Sequence, residues 1–148
     1  MMPARQLWLF KFGCWASLVS AAVHLAGHVI GLQAPANAIE RQLVQLASEY
    51  HMAMPGGSER SLMDFLNGFS LMFALMLATL GSVGLIVEKR GHGDPMLMLG
   101  VARAFTVATT AVLVVSVTHF FIVPTLFIAV LVVCFFCASV QAPIEPVE

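Results

Sequence analysis

Apolar residues fill this chain in four blocks, covering residues 7–32, 61–87, 95 to about 123, and 125 to about 140. A hydrocarbon core about 30 Å thick needs roughly 20 helical residues, so each block approaches or exceeds the length of a membrane span. At hydrocarbon depth the backbone must satisfy its own N–H and C=O groups, which makes the blocks helices. Pro124 separates the last two and is expected to break the chain there. The predicted fold is all-α: a four-helix transmembrane bundle with a short amphipathic helix in the first outer loop.

Polar punctuation marks where the elements begin. Ser61 followed by Asp64 forms an acidic variant of the capping box at the head of the second span. Asp94 before Pro95 pairs a side-chain cap with proline at the first helical position of the third. In the loop 33–60, Asn37 followed by Glu40 starts a helix whose apolar positions Ile39, Leu43, Leu46, Ala47 and Tyr50 recur at helical spacing. Glu40, Arg41, Gln42, Gln45 and Glu49 fall largely elsewhere, so this helix should lie on the outer leaflet or cap the bundle. Pro55-Gly56-Gly57 ends it. Ala36-Asn37-Ala38 resembles a cleavage site, but the apolar run before it is too long for a signal peptide and two histidines interrupt it. The first block is therefore expected to be a permanent span, and residues 1–148 to form one membrane domain.

Composition agrees with that reading, at 59% hydrophobic and 10% charged residues. The net charge of -1 supplies no excess of Lys and Arg to neutralise phosphates, which excludes nucleic acid as an expected partner. The bilayer is the expected partner. Arg5, Lys11, Lys89 and Arg90 outweigh Arg41 and Arg60, so both termini should be cytoplasmic.

Ionisable residues in spanning helices usually face a protein interior and are functional candidates by default. At about 100° per residue, Gly13, Ser17, Ser20, His24, Gly27, His28 and Gly31 share a stripe on the first span roughly 120° wide. Small residues let membrane helices approach closely, so this stripe should face the other spans. Asp64, Asn67, Gly68, Leu71, Leu75, Ala78 and Ser82 form a comparable face on the second, and Thr109, Ser116 and His119 share a side of the third. By helical rise, His28 and His24 lie about 5 and 10 Å below the outer end of their span, Asp64 about 5 Å into its own, and His119 roughly 7 Å below Pro124. Such depths would gather them around one outward-opening pocket, with Asn67 lower down and His51 above.

Imidazoles at i and i+4 can chelate from one helix face. With His119 and Asp64 they would make a four-ligand set for zinc, copper or iron. The histidines could instead ligate haem, or hydrogen-bond a quinone or lipid headgroup while Asp64 holds or relays a proton. Against these stands a structural reading, in which the histidines bond to serines or carbonyls of neighbouring helices and Asp64 caps its own helix. Three function classes follow: a ligand-binding protein, with redox or proton-coupled chemistry; a noncatalytic accessory subunit of a larger membrane complex; and a lipid-modifying enzyme using Asp64 and a histidine as acid and base. Transport by four spans would call for a homo-oligomer.

Cys134 and Cys137 form a CxxC pair on the fourth span, as in the vitamin K epoxide reductase family. Here the thiols sit mid-span or lower, and the outer loop has no cysteine to exchange with them, so Cys14, Cys134 and Cys137 read as packing residues. Arg103 should snorkel to the headgroups or reach Glu88.

His24 and His28, ERQLVQL over residues 40–46 and PGGSERSLMDFLNGFSL over residues 55–71 resemble an uncharacterised family of small four-span bacterial membrane proteins. Size and span count are distantly similar to the DoxX-type subunits of membrane oxidoreductases. The resemblance implies a multi-pass protein of the bacterial inner membrane and assigns no activity.

Overall fold

The computed structural model describes residues 3–31, 35–53, 59–91 and 93–140. Leu32, the expected end of the first span, and the Pro55-Gly56-Gly57 breaker lie outside the described residues. In chain order the elements are helix α1 (Ala4–Gly31), helix α2 (Ala38–Glu49), strands β1 (His51–Ala53) and β2 (Glu59–Ser61), and helices α3 (Leu62–Arg90), α4 (Pro95–His119) and α5 (Ile122–Ser139). The chain is all-α in architecture, and α1, α3, α4 and α5 are the four helices long and apolar enough to cross a membrane.

The expected caps form. Asn37 Oδ1 accepts from the Glu40 N–H at 2.8 Å, and Glu40 Oε2 reaches back to the Ala36 N–H at 2.6 Å. Asp94 Oδ1 accepts from the N–H groups of Met96 (3.1 Å) and Leu97 (3.0 Å), with Pro95 filling the first helical position. Each bond satisfies a donor that a helix start otherwise leaves orphaned.

The break between the last two spans falls earlier than the sequence reading placed it. α4 ends at His119 rather than near residue 123, and α5 begins at Ile122 with Pro124 in its first turn. Proline lacks a donor that the first turn would leave unpaired anyway, while its ring excludes the carbonyl four residues back. That carbonyl belongs to Phe120, where the helix stops. The two-stranded ribbon β1–β2 was not anticipated; it pairs His51 with Ser61, Met52 with Arg60 and Ala53 with Glu59 in antiparallel register. Strands of three residues are too short to display an alternating pattern.

The chain divides into two compact units, Met1–Ser20 with Leu77–Glu148, and Ala21–Met76. In the first, the early part of α1, the late part of α3, and α4 and α5 enclose three aromatic rings. Phe105 meets Phe135 edge-on at 5.2 Å, Phe10 meets Phe135 at 5.8 Å, and Phe10 stacks with Phe105 at 6.0 Å. Small residues open the space these rings occupy. A Cβ on Gly13 would stand 2.9 Å from Phe135, and one on Gly84 would collide with the Cys14 thiol. At Gly81 the obstruction is backbone, the Cys14 carbonyl at 2.6 Å. With α1 and α3 this close, Ser17 Oγ–H donates to the Leu77 carbonyl at 2.8 Å.

Polar groups elsewhere in this unit also find partners. Ser116 and Thr125 hydroxyls meet at 2.9 Å and join the end of α4 to the start of α5. Glu88, nearly buried, is met by Lys11 Nζ at 3.7 Å, so its cation comes from α1, and Arg103 is exposed. Cys14 and Cys134 are buried among apolar neighbours and Cys137 is exposed; all are free thiols.

The close contact at Gly81 generates a prediction. Gly81→Ala should destabilise the protein by about 1–3 kcal/mol through overpacking against backbone that cannot yield. Gly100→Ala, where a Cβ meets nothing within 4 Å, should be neutral or stabilising by up to about 1 kcal/mol. Thermal unfolding of the two variants in detergent, followed by circular dichroism, checks the contrast.

Candidate functional site

The second unit holds most of the ionisable residues singled out in the spans. His24, half-buried on α1, presents Nε2 to α3, 3.2 Å from the Ser70 carbonyl oxygen and 3.0 Å from Ser70 Oγ. The carbonyl can only accept, so a proton on Nε2 makes both contacts favourable, whereas a bare Nε2 would set two lone pairs against each other. The carbonyl contact favours a proton on Nε2, while the Ser70 hydroxyl can either give or accept one. No described residue bonds to Nδ1. Phe73, one turn further along α3, meets the imidazole edge-on with centroids 5.0 Å apart and fixes the ring plane.

His28 is half-buried on the same face of α1, one turn beyond His24. It makes no hydrogen bond, ion pair or ring contact with a described residue. Successive spans run antiparallel, so with residue 24 opposite residue 70, residue 28 stands at the level of Leu66 and Asn67. Asn67 is half-buried and carries an amide with both donor and acceptor capacity.

Asp64 has a different occupation. Its N–H donates to Ser61 Oγ at 3.1 Å, and its Oδ2 accepts from the Ser61 N–H at 3.3 Å, closing the reciprocal capping box at the start of α3. Its side chain is exposed. The capping role foreseen in the structural reading is therefore the one in place. His119 belongs to the other unit, as the last residue of α4. It is exposed, and its Nδ1 lies 2.6 Å from Thr118 Oγ1 and 3.3 Å from the Val115 carbonyl. His51 is held in β1 with Nδ1 2.9 Å from the Glu49 carbonyl.

Among the described residues no group of three or more His, Cys, Asp or Glu side chains is placed to hold a metal ion. What the second unit brings together is smaller: His24 oriented by Ser70 and Phe73, and, one turn away, His28 with no partner among the described residues. Ser70 was not singled out beforehand. Its signal was available, since it follows Asn67 by three residues and so continues the polar side of the second span.

No family model matches this chain, and comparisons with curated proteins and with solved structures find no match.

Asp64 and Ser61 separate structural from chemical roles. Ser61→Ala should lower stability by about 0.5–2 kcal/mol, the usual cost of a lost N-cap, and Asp64→Ala should shift the thermal midpoint in the same direction. Any ligand held by His24 and His28 should stay bound in both variants. Melting curves beside ligand occupancy in detergent check this.

Proposed function

We propose that this is a small multi-pass protein of the bacterial inner membrane that binds a redox-active ligand through His24 and His28. Haem and quinone fit best among the chemistries considered, because each needs only one or two imidazoles and apolar surroundings. The observation that carries the reading is the pairing of an oriented imidazole with one that has no partner among the described residues. The Ser70 carbonyl holds the Nε2–H of His24, an arrangement that commonly fixes a ligating histidine by its second nitrogen. Nδ1 of His24 and the ring of His28 are then available to coordinate iron or to accept a hydrogen bond from a quinol hydroxyl.

A bare metal ion with three or more protein ligands would need donors from beyond the described residues, such as a second copy of the chain. A lipid headgroup would engage the same two imidazoles by hydrogen bonding, with Asn67 at the level of His28. In this reading both termini are cytoplasmic, which follows from the bias of Arg5, Lys11, Lys89 and Arg90. Asp64 contributes by setting the first turn of α3.

The alternative is a noncatalytic accessory subunit. Its supporting observation is the exposed Phe65–Phe69 pair on α3, with centroids 4.6 Å apart, which presents a stiff aromatic surface. A membrane partner or lipid would cover it equally well.

Detergent-purified protein provides the test through its absorbance spectrum, its metal content and solvent extraction of quinone. The expected result is a Soret band or extractable quinone at stoichiometric level, lost in His24→Ala and His28→Ala while helicity is retained. Ser70→Ala should weaken binding less, since the carbonyl remains. Wild-type protein free of haem, metal and quinone would overturn the proposal, as would binding undiminished by both histidine substitutions. Copurification with a larger membrane protein in those variants would support the accessory reading instead.

A further inference from the structure

Helix α2 has an apolar side that no described residue buries. None of its residues is buried, and Ile39, Leu43 and Leu46 are 71%, 62% and 63% exposed. At about 100° per residue, Leu46, Ile39, Leu43 and Ala47 fill an arc about 100° wide, while Arg41, Gln42, Gln45, Ser48 and Glu49 occupy the opposite side. On the polar side Gln45 Nε2–H donates to Glu49 Oε1 at 2.8 Å, and Ser48 Oγ–H donates to the Val44 carbonyl at 2.8 Å.

Both ends of α2 are held close to the beginning or end of a membrane-spanning helix. The Leu62 N–H, first in α3, donates to the carbonyl of Tyr50, the residue that closes α2, at 2.9 Å. The ribbon β1–β2 reinforces this attachment by pairing His51 with Ser61. At the other end only residues 32–37 separate the last residue of α1 from the first of α2. A link of that length reaches at most about 25 Å when fully extended. The C-terminal end of α2 is thus pinned where α3 enters the bilayer, and Tyr50, 61% exposed, stands at the same level. Aromatic residues with a polar tip favour that boundary.

From this continuity we infer that α2 lies in the membrane interface, with Ile39, Leu43, Leu46 and Tyr50 among the lipid acyl chains and its polar side in water. The occupant of the uncovered arc is lipid. Attraction to anionic headgroups contributes little, because Arg41 is the one cation among the residues of α2 and Glu40 and Glu49 oppose it. The anchoring force is apolar area, as for interfacial helices generally. One role of such a helix is to hold the ribbon and the entry of α3 at fixed depth, and it does not rest on the ligand proposed for His24 and His28.

The full-length wild-type chain reconstituted in phosphatidylcholine vesicles tests this. A lipid-partitioning diazirine should label Ile39, Leu43, Leu46 and Tyr50 several-fold more than Gln42, Gln45 and Glu49, read by peptide mass spectrometry. Hydroxyl radicals generated in the aqueous phase should mark Tyr50 and Leu43 several-fold less in vesicles than in a peptide spanning residues 38–50. In Leu43→Glu/Leu46→Glu, lipid-phase labelling of Ile39 should be lost while that of Leu75 and Met76 on α3 persists. An arc protected from both reagents would show that protein covers it and would overturn the inference, and an arc labelled chiefly from water would overturn it equally.

Discussion

At hydrocarbon depth no water is available to a polar side chain, and this requirement organises the contacts between the spanning helices. Ser17 gives its proton to the Leu77 carbonyl and His24 gives its own to Ser70. Ser20, Thr106 and Thr109 fold back onto carbonyls of their own helices. Among the described residues no buried side-chain nitrogen or oxygen lacks a partner. Bonds between helices require close backbones, and close backbones require small residues, which is why Gly81 and Gly84 stand against Cys14 where α1 meets α3 in the first unit.

The same requirement explains why the two units differ in kind. The first places three phenylalanine rings among four helices, and its polar groups serve to close joints, as Ser116 and Thr125 do. The second has few buried residues, Ala21, Ser61 and Ala74, and leaves broad apolar faces such as Phe69, Met72, Leu75 and Met76 exposed. In water such faces would drive association, whereas lipid tails solvate them without penalty. A unit with little core of its own depends on hydrogen bonds and on the bilayer to hold its elements. The Leu62 N–H to Tyr50 carbonyl bond and the His24–Ser70 contact therefore carry more of its organisation than equivalent bonds would in a thick core.

Within that setting the candidate residues separate by what already engages them. Asp64, whose backbone N–H donates to Ser61 Oγ and whose carboxylate accepts from the Ser61 N–H, is committed to its helix start, and His119 is turned to Thr118 and its own helix carbonyl. His24 is half committed, with one nitrogen used and the other open. His28 has no partner among the described residues. Such an imidazole, on the same face as an oriented one, keeps its ring nitrogens available to a ligand.

Much of this was legible in the residue order because it depends on local physics. The lengths of the apolar runs specified four spans, and Asn37 with Glu40, Ser61 with Asp64, and Asp94 with Pro95 marked three helix starts, since caps act over three or four residues. The stripe of Gly13, Ser17, Ser20, His24, Gly27, His28 and Gly31 indicated the side of α1 that meets its neighbours as far as His24, whereas Gly27 and Gly31 are exposed with open space where a Cβ would stand. Tertiary structure decided what local pattern cannot encode: that Ser70 rather than a ligand meets Nε2 of His24, that Asp64 is spent on its own cap, and that Lys11 reaches Glu88. Helical periodicity orders side chains around one axis but is silent on the rotation and register of a second helix against it. Those quantities determine which polar groups pair, and they are set by packing of small and large residues across the contact.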